Sequence, residues 1–180
     1  IHGERTMVER AFLARAKALA GRVKDALEDQ KQLILDRTAV FGPEADATLA
    51  IRGQLAQTLA RFGYPDDAIE VNEQLLKDRI ALVGVDHPSV FNTMGNLGEN
   101  LLIAGDVARG LEVYTDLFER RTRVLGADHP DTRRTAGNLA IAQSRSVANP
   151  EDSLAILVDH LTETANDYGW ISIEAFTARG

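Results

Sequence analysis

The sequence contains no cysteine and few aromatic residues, which make up 6% of its 180 residues. Without cysteine the chain has no disulfides, thiolate metal ligands or cysteine nucleophiles, and because this composition suits a reducing compartment we expect a cytoplasmic protein. No apolar run approaches the roughly 18 residues that a membrane span needs, so we expect no membrane partner. The 27 acidic residues outnumber the 20 basic ones, and the net charge of −7 disfavours nucleic acid as a partner.

Motifs for catalysis are also lacking. The four histidines are accompanied by no glycine-rich phosphate loop, no HExxH zinc motif and no serine in a nucleophile-elbow motif. We therefore expect a protein that is not an enzyme and that uses no cofactor and no metal.

A repeat of 42 residues runs through the chain. Fixed periods in the range of about 20–50 residues are typical of stacked repeat arrays. The glycines recur at this spacing in three series, Gly42, Gly84 and Gly126, then Gly53, Gly95 and Gly137, then Gly21, Gly63 and Gly105. Gly169 continues the first series one residue late, because the loop at 146–152 is one residue longer than its counterparts.

Apolar residues between these glycines recur at helical spacing, and no segment alternates with a period of two. Each repeat is therefore predicted to contain two helices, A and B, with a left-handed glycine cap at the end of B. The predicted A helices lie near residues 4–20, 44–62, 87–104 and 129–147, and the B helices near 23–40, 66–82, 107–125 and 151–168. The predicted repeats, 4–41, 42–83, 84–125 and 126–168, form one array over residues 1–180, and residues 169–180 begin a further helix that contains Trp170 and Phe176.

The pattern Gly-x-Asp-His-Pro occurs twice, beginning at Gly84 and at Gly126. An Asp-His pair could be half of a metal site, or it could end one helix and begin the next. In the second interpretation the glycine ends helix B, the aspartate caps the next helix and the proline lies in its first turn. The corresponding turn at Gly42 has no histidine. We therefore predict that the pattern is helix punctuation.

Residues 81–98 (ALVGVDHPSVFNTMGNLG) and 123–140 (RVLGADHPDTRRTAGNLA) resemble tetratricopeptide repeats of the 42-residue kind, as in kinesin light chains and bacterial NB-ARC signalling ATPases. Gly105 and Ala68 stand at the small-residue positions of that repeat. The resemblance implies an all-α fold, a right-handed solenoid of antiparallel helix pairs, whose A helices line a concave groove that binds peptides or protein segments. HEAT or armadillo repeats, which have a similar period, are the alternative fold.

The A-helix face that the resemblance assigns to the groove is polar but mostly uncharged in its middle. Amide side chains both donate and accept hydrogen bonds, as an extended backbone requires. Arg134 and Arg145 suit an acidic segment or a free carboxylate. The alternative is a solvated helix face whose asparagines satisfy a neighbouring helix. The candidate ligand-binding residues are Gln54, Gln57, Arg61, Asn92, Asn96, Glu99, Arg134, Asn138 and Arg145.

Three further features invite a structural or a functional interpretation. The glycines inside the A helices, Gly53, Gly95 and Gly137, indicate a close approach either of neighbouring A helices or of a ligand backbone. His160 stands on the otherwise apolar stripe of a B helix, as a site residue or as a partly buried histidine. We expect Arg37, Arg79 and Arg121 to complement the helix dipole in the last turns of the B helices.

These observations predict a non-catalytic module that binds a peptide or protein segment, or another domain of the full-length protein. Because the first residue is Ile1, we expect a piece of a longer protein, and the resemblance implies a bacterial signalling protein. The alternative function is a structural array that forms homo-oligomers through its exposed start and residues 170–176.

Overall fold

The computed structural model describes residues 2–147 and 149–167, with side chains from residue 6 to residue 162. The predicted further helix with Trp170 and Phe176 lies outside the described residues. The described part forms eight α-helices and no strand. They are α1 (His2–Leu19), α2 (Val23–Phe41), α3 (Asp46–Arg61), α4 (Pro65–Val83), α5 (Pro88–Ala104), α6 (Val107–Leu125), α7 (Pro130–Ser146) and α8 (Pro150–Asp167). Each predicted A and B helix is confirmed, with ends that differ by a few residues.

The chain divides into two compact units, Ile1–Gly105 and Asp106–Gly180. In unit 1, each of the helices α1 to α4 packs against the next, and α3 also contacts α5. Its core includes Leu33, Leu75 and Phe91. In unit 2, α6 packs against α7, and α7 packs against α8. The extent of one array over the whole chain stays a prediction.

Gly42, Gly84 and Gly126, which follow α2, α4 and α6, have positive φ, as predicted. Gly84 has φ 84° and ψ 163°, so its backbone is extended rather than in the left-handed helical conformation. A Cβ atom at this position would meet nothing within 4 Å. Glycine is therefore required by the backbone conformation and not by the space available. The predicted left-handed helical cap was wrong in its ψ angle at Gly42, Gly84 and Gly126.

The Gly-x-Asp-His-Pro segments are helix punctuation, but the histidine is the capping residue. Nδ1 of His87 accepts a hydrogen bond from the backbone N–H of Ser89 at 3.2 Å, and Pro88 begins α5. Nδ1 of His129 accepts one from Asp131 at 3.1 Å in the same way. The predicted aspartate cap was wrong. The histidine is the last residue before the helix, and its ring accepts the hydrogen bond from the backbone N–H two residues later.

A half-buried arginine, Arg79, joins α4 to α5. Its Nη1 donates to the carbonyl of Ser89 at 3.1 Å and to Oγ1 of Thr93 at 2.6 Å. The Thr93 hydroxyl in turn donates to the Ser89 carbonyl at 2.8 Å. Burial lowers the pKa of Arg79, because a cation loses hydration there. The guanidinium thus connects helix B to the first turn of the next helix A.

The same arrangement recurs at the equivalent arginines. Nη1 of Arg121 donates to the carbonyl of Asp131 and to Oγ1 of Thr135, at 3.1 and 2.7 Å. Arg37 donates to the carbonyl of Ala47 at 3.1 Å. The expectation that these arginines complement the dipole in last turns was wrong, since the last turns of α2 and α4 contain no basic residue.

Candidate functional site

Three clefts lie side by side across the A helices of unit 1. Two separate α1 from α3, and the third separates α3 from α5. Gln54 borders the first and second clefts, while Gln57 and Arg61 border the second and third. The clefts therefore form one continuous surface, which we call the A-helix groove. Its walls include Val8, Phe12, Arg15, Leu19, Gln54, Gln57, Arg61, Asn96, Glu99 and Ile103.

Helix α3 shows how the sequence places polar side chains in the groove. Leu55 and Leu59 belong to a buried apolar cluster of unit 1. Gln54, Gln57 and Arg61 are spaced at i, i+3 and i+7, so they share the opposite, exposed side of the helix. The amphipathic pattern that builds the core therefore also directs the amides and the cation into the groove.

The structure brings together most of the unit 1 residues that the sequence assigned to binding. Gln54, Gln57, Arg61, Asn96 and Glu99 all line the A-helix groove. Asn92 lies on α5 one turn before Asn96 and is exposed.

The remaining predicted residues, Arg134, Asn138 and Arg145, lie on α7 in unit 2. Nη2 of Arg134 is 2.7 Å from Oδ1 of Asp131, one turn earlier on the same helix. Part of the positive charge of Arg134 is therefore balanced within the protein. Asn138 is half-buried and Arg145 is exposed. Their role in binding stays a prediction.

Two arginines, Arg15 of α1 and Arg61 of α3, border the same cleft of the groove. Both are exposed, and within the described part of the chain neither side chain forms an ion pair or a hydrogen bond. The cleft thus contains two cations although the chain has a net charge of −7. The sequence assigned Arg61 to binding but did not pair it with Arg15, because the distance between separate helices is set only by their packing.

The floor of that cleft contains the side chain of Gln30, which has a hydrogen-bond acceptor without a partner. Gln30 is 3% exposed, and its Nε2 donates to Oγ1 of Thr58 at 3.0 Å. The Thr58 hydroxyl donates to the carbonyl of Gln54 at 2.9 Å. Oε1 of Gln30 has no hydrogen-bond partner. A buried acceptor without a donor is costly, so this oxygen would accept an N–H group of a ligand or a water molecule.

Two of the glycines inside the A helices, Gly53 and Gly137, face the B helix of their own pair. A Cβ atom on Gly53 would lie 3.5 Å from Cδ2 of Leu75, and one on Gly137 would lie 3.4 Å from Nε2 of His160. Both distances are ordinary contacts, so a Cβ atom would fit at either position, and the nearest neighbour is helix B and not the neighbouring helix A that we expected. His160 is half-buried, which agrees with the interpretation of this residue as a partly buried histidine rather than a site residue.

Comparisons with known proteins place this architecture in a family. Two family models described as tetratricopeptide repeat match the sequence, one over residues 48–89 and the other over residues 82–162. Together they account for residues 48–162, which is more than half of the chain. The chain belongs to the tetratricopeptide repeat family.

Solved structures share the fold of this tetratricopeptide repeat protein. One is a protein of Podosopora anserina assigned as a kinesin light chain with nearly identical TPR-like repeats; it is 20% identical, with a TM-score of 0.73 over 89% of this chain and 76% of that chain. Another is BtubC (BKLC) from P. vanneervenii, 19% identical, with a TM-score of 0.73 over 92% of this chain and 65% of that one. No curated protein matches the sequence. The fold is thus an all-α solenoid of helical repeats.

Tetratricopeptide repeats generally mediate protein–protein interactions, and their folds are generally non-catalytic. Among the described residues, no three His, Asp or Glu side chains are grouped as they would be around a metal ion. None of the described helices combines the length and the apolar character that crossing a bilayer requires.

Proposed function

We propose that this tetratricopeptide repeat protein is an interaction module that holds an extended protein segment in the A-helix groove. The observation that carries the proposal is the continuous groove across α1, α3 and α5, whose walls contain unbalanced cations and free amides. An extended segment suits this surface because its backbone N–H and C=O groups are free to bind the groove. In helices and sheets these groups are already hydrogen-bonded to each other.

The groove chemistry suits an acidic side chain beside an apolar one. Arg15 and Arg61 provide charge-assisted donors for a carboxylate, which form stronger hydrogen bonds than neutral donors. Phe12, which is 69% exposed, provides apolar surface in the adjoining cleft. Gln57 and Asn96 lie on the other side and suit the ligand backbone.

The α7 residues Asn138, Arg134 and Arg145 are proposed as further ligand contacts, with Arg134 weakened by its pairing with Asp131. The sequence also suggests a bacterial NB-ARC-type signalling context and a cytoplasmic location, and both are kept as proposals. Sequencing the flanking coding region tests the context, since an upstream nucleotide-binding motif is expected there.

Selection of extended peptides from a display library tests the groove. Peptides enriched on the wild-type protein should contain Asp or Glu near an apolar residue. The Arg15→Ala, Arg61→Ala double variant should lose these peptides, because the cleft then contains no cation. Arg22→Ala is the matched control, since Arg22 is exposed at the residue before α2 and is paired with Asp25. Enrichment of the same peptides on both variants would assign the binding to another surface.

A further inference from the structure

Arg37 of α2 is buried and still borders a cleft of the A-helix groove, the first of the three, which also contains Phe12. The residue is 7% exposed. Its Nη1 donates to the carbonyl of Ala47 at 3.1 Å, whereas its Nε has no hydrogen-bond partner. Among the described residues no carboxylate pairs with Arg37. Burying a charge is costly unless the charge is paired and hydrogen-bonded, and Arg37 is paired with no anion.

The equivalent arginines of the next two repeats have an acceptor that Arg37 lacks. Each of them bonds to a threonine hydroxyl, at Thr93 in one repeat and at Thr135 in the other. The 42-residue shift places Ile51 at this position of α3. Isoleucine has no acceptor, so the hydrogen bond that completes the arrangement in the other repeats is missing beside Arg37.

The first cleft has open space beside this guanidinium. Its volume is about 250 Å³, far more than the roughly 10–15 Å³ that one water molecule requires. Phe12 and Ile51 are among its apolar walls, and a charge interaction is stronger beside apolar walls than in open water. Arg15, which has no ion pair, borders the same cleft. The cleft therefore contains two cations and the space for an anionic group.

Helix α2 sets the distance between this cation and the second cleft. Arg37 borders the first cleft and Gln30 borders the second. The two residues are spaced at i and i+7, so they share one face of α2 and lie roughly 10 Å apart along its axis. An extended segment covers this distance in about three residues. Ligand side chains that enter the two clefts therefore come from positions about three residues apart.

We propose that the first cleft binds the carboxylate of a second acidic residue of the ligand, about three positions from the acidic residue that Arg61 contacts. Nε and Nη2 of Arg37, which have no partner among the described residues, form the edge of the guanidinium that can bind both oxygens of a carboxylate. Arg15 adds a second cation at the cleft. Arg37 thus selects the ligand in the first repeat, while its counterparts only join helices. This inference rests on the proposed binding of an extended segment in the A-helix groove.

The test uses the full 180-residue chain and the peptide most enriched on it from a display library, with binding followed by fluorescence anisotropy. The peptide should contain two acidic residues about three positions apart. Arg37→Met should weaken binding by about tenfold, and replacing one of the two acidic residues by its amide should then have no further effect. Arg79→Met is the matched control, because it removes the same kind of helix contact but borders none of the three clefts. Circular dichroism checks that both variants keep their helices.

A second pair of variants differs by one hydroxyl group. Ile51→Thr supplies the acceptor that Thr93 and Thr135 supply in the other repeats. The new hydroxyl should hold the guanidinium against α3 and weaken peptide binding by about threefold or more relative to Ile51→Val, which has nearly the same shape and no acceptor.

The outcomes separate this inference from the proposed function. Peptides with a single acidic residue that bind Arg37→Met and Arg79→Met equally well, but not the Arg15→Ala, Arg61→Ala double variant, would overturn the second carboxylate site and leave the groove in place. Peptides that bind all of these variants normally, or a selection that enriches no acidic peptide, would overturn both. Equal binding by Ile51→Thr and Ile51→Val would also contradict a contact at Arg37.

Discussion

Nη1 of Arg121 lies 2.7 Å from Oγ1 of Thr135, with both side chains buried, at 4% and 1% exposure. The bond joins α6 to the first turns of α7, and Arg79 and Thr93 form the same bond between α4 and α5. A hydrogen bond between two buried groups keeps one helix at a fixed rotation against the next, because a shift would break the bond where water cannot replace it.

Loss of this bond should destabilise the protein. Arg121→Met keeps the volume of the side chain and removes the donors, so the Asp131 carbonyl and the Thr135 hydroxyl lose a partner. We expect the free energy of unfolding to fall by about 1–3 kcal/mol in urea titrations. Arg22→Met, which removes an exposed ion pair with Asp25, should change it by at most about 0.5 kcal/mol. Equal losses in the two variants would refute a special role for Arg121.

The histidine caps give a second prediction. His87→Ala and His129→Ala should each lower the free energy of unfolding by about 0.5–2 kcal/mol, because the ring nitrogen that accepts from the backbone is lost. Asparagine at either position should restore most of the loss, since its side chain is also a good cap. Added zinc or a chelator should leave the melting temperature unchanged, and peptide binding in the groove should persist. Unfolding by a chelator would favour the metal interpretation.

The sequence predicted the helices well and the contacts between them only in part. The spacing of glycines and apolar residues is a local signal, so the positions of α3 and α5 followed directly. His87 shows the limit at one helix end, because Asp86 is an equally good capping residue by composition and only the exact first residue of α5 decides between them. Arg15 and Arg61 show it in the groove, since the packing of α1 and of α3 against α2 decides that the two arginines share a cleft.

A third prediction compares an internal residue with one at the end of the series. Leu97 of α5 is 4% exposed and Leu161 of α8 is 63% exposed. Leu97→Ala should therefore cost about 2–5 kcal/mol of unfolding free energy, because it leaves a cavity in the core. Leu161→Ala should cost less than about 1 kcal/mol, because water already contacts most of the side chain. Similar losses, measured by urea titration, would contradict the described burial of the two leucines.

The fourth prediction concerns the groove and salt. For a peptide selected on the wild-type protein, Asn96→Ala and Arg61→Ala should each weaken binding by about 1–3 kcal/mol in calorimetric titrations. Helicity should not change, because both side chains lie in the walls of the groove. Added salt should reduce the contribution of Arg61 more than that of Asn96, since exposed charges are screened over roughly 8 Å at physiological ionic strength. Equal salt dependence in the two variants would contradict an ionic contact at Arg61.

The glycines inside the A helices allow packing and ligand approach to be separated. At Gly53 a Cβ atom would lie 3.5 Å from Cδ2 of Leu75, an ordinary contact distance, so Gly53→Ala should leave stability unchanged or raise it by up to about 1 kcal/mol through better helix propensity. Gly53→Leu adds atoms where Leu75 and Arg79 already lie, and overpacking should lower the free energy of unfolding by about 1–3 kcal/mol. Ala39→Leu, at an exposed position of α2, controls for the addition of a leucine to a helix. A Gly53→Ala variant of normal stability that loses peptide binding would mean that a ligand backbone, and not Leu75, requires the glycine.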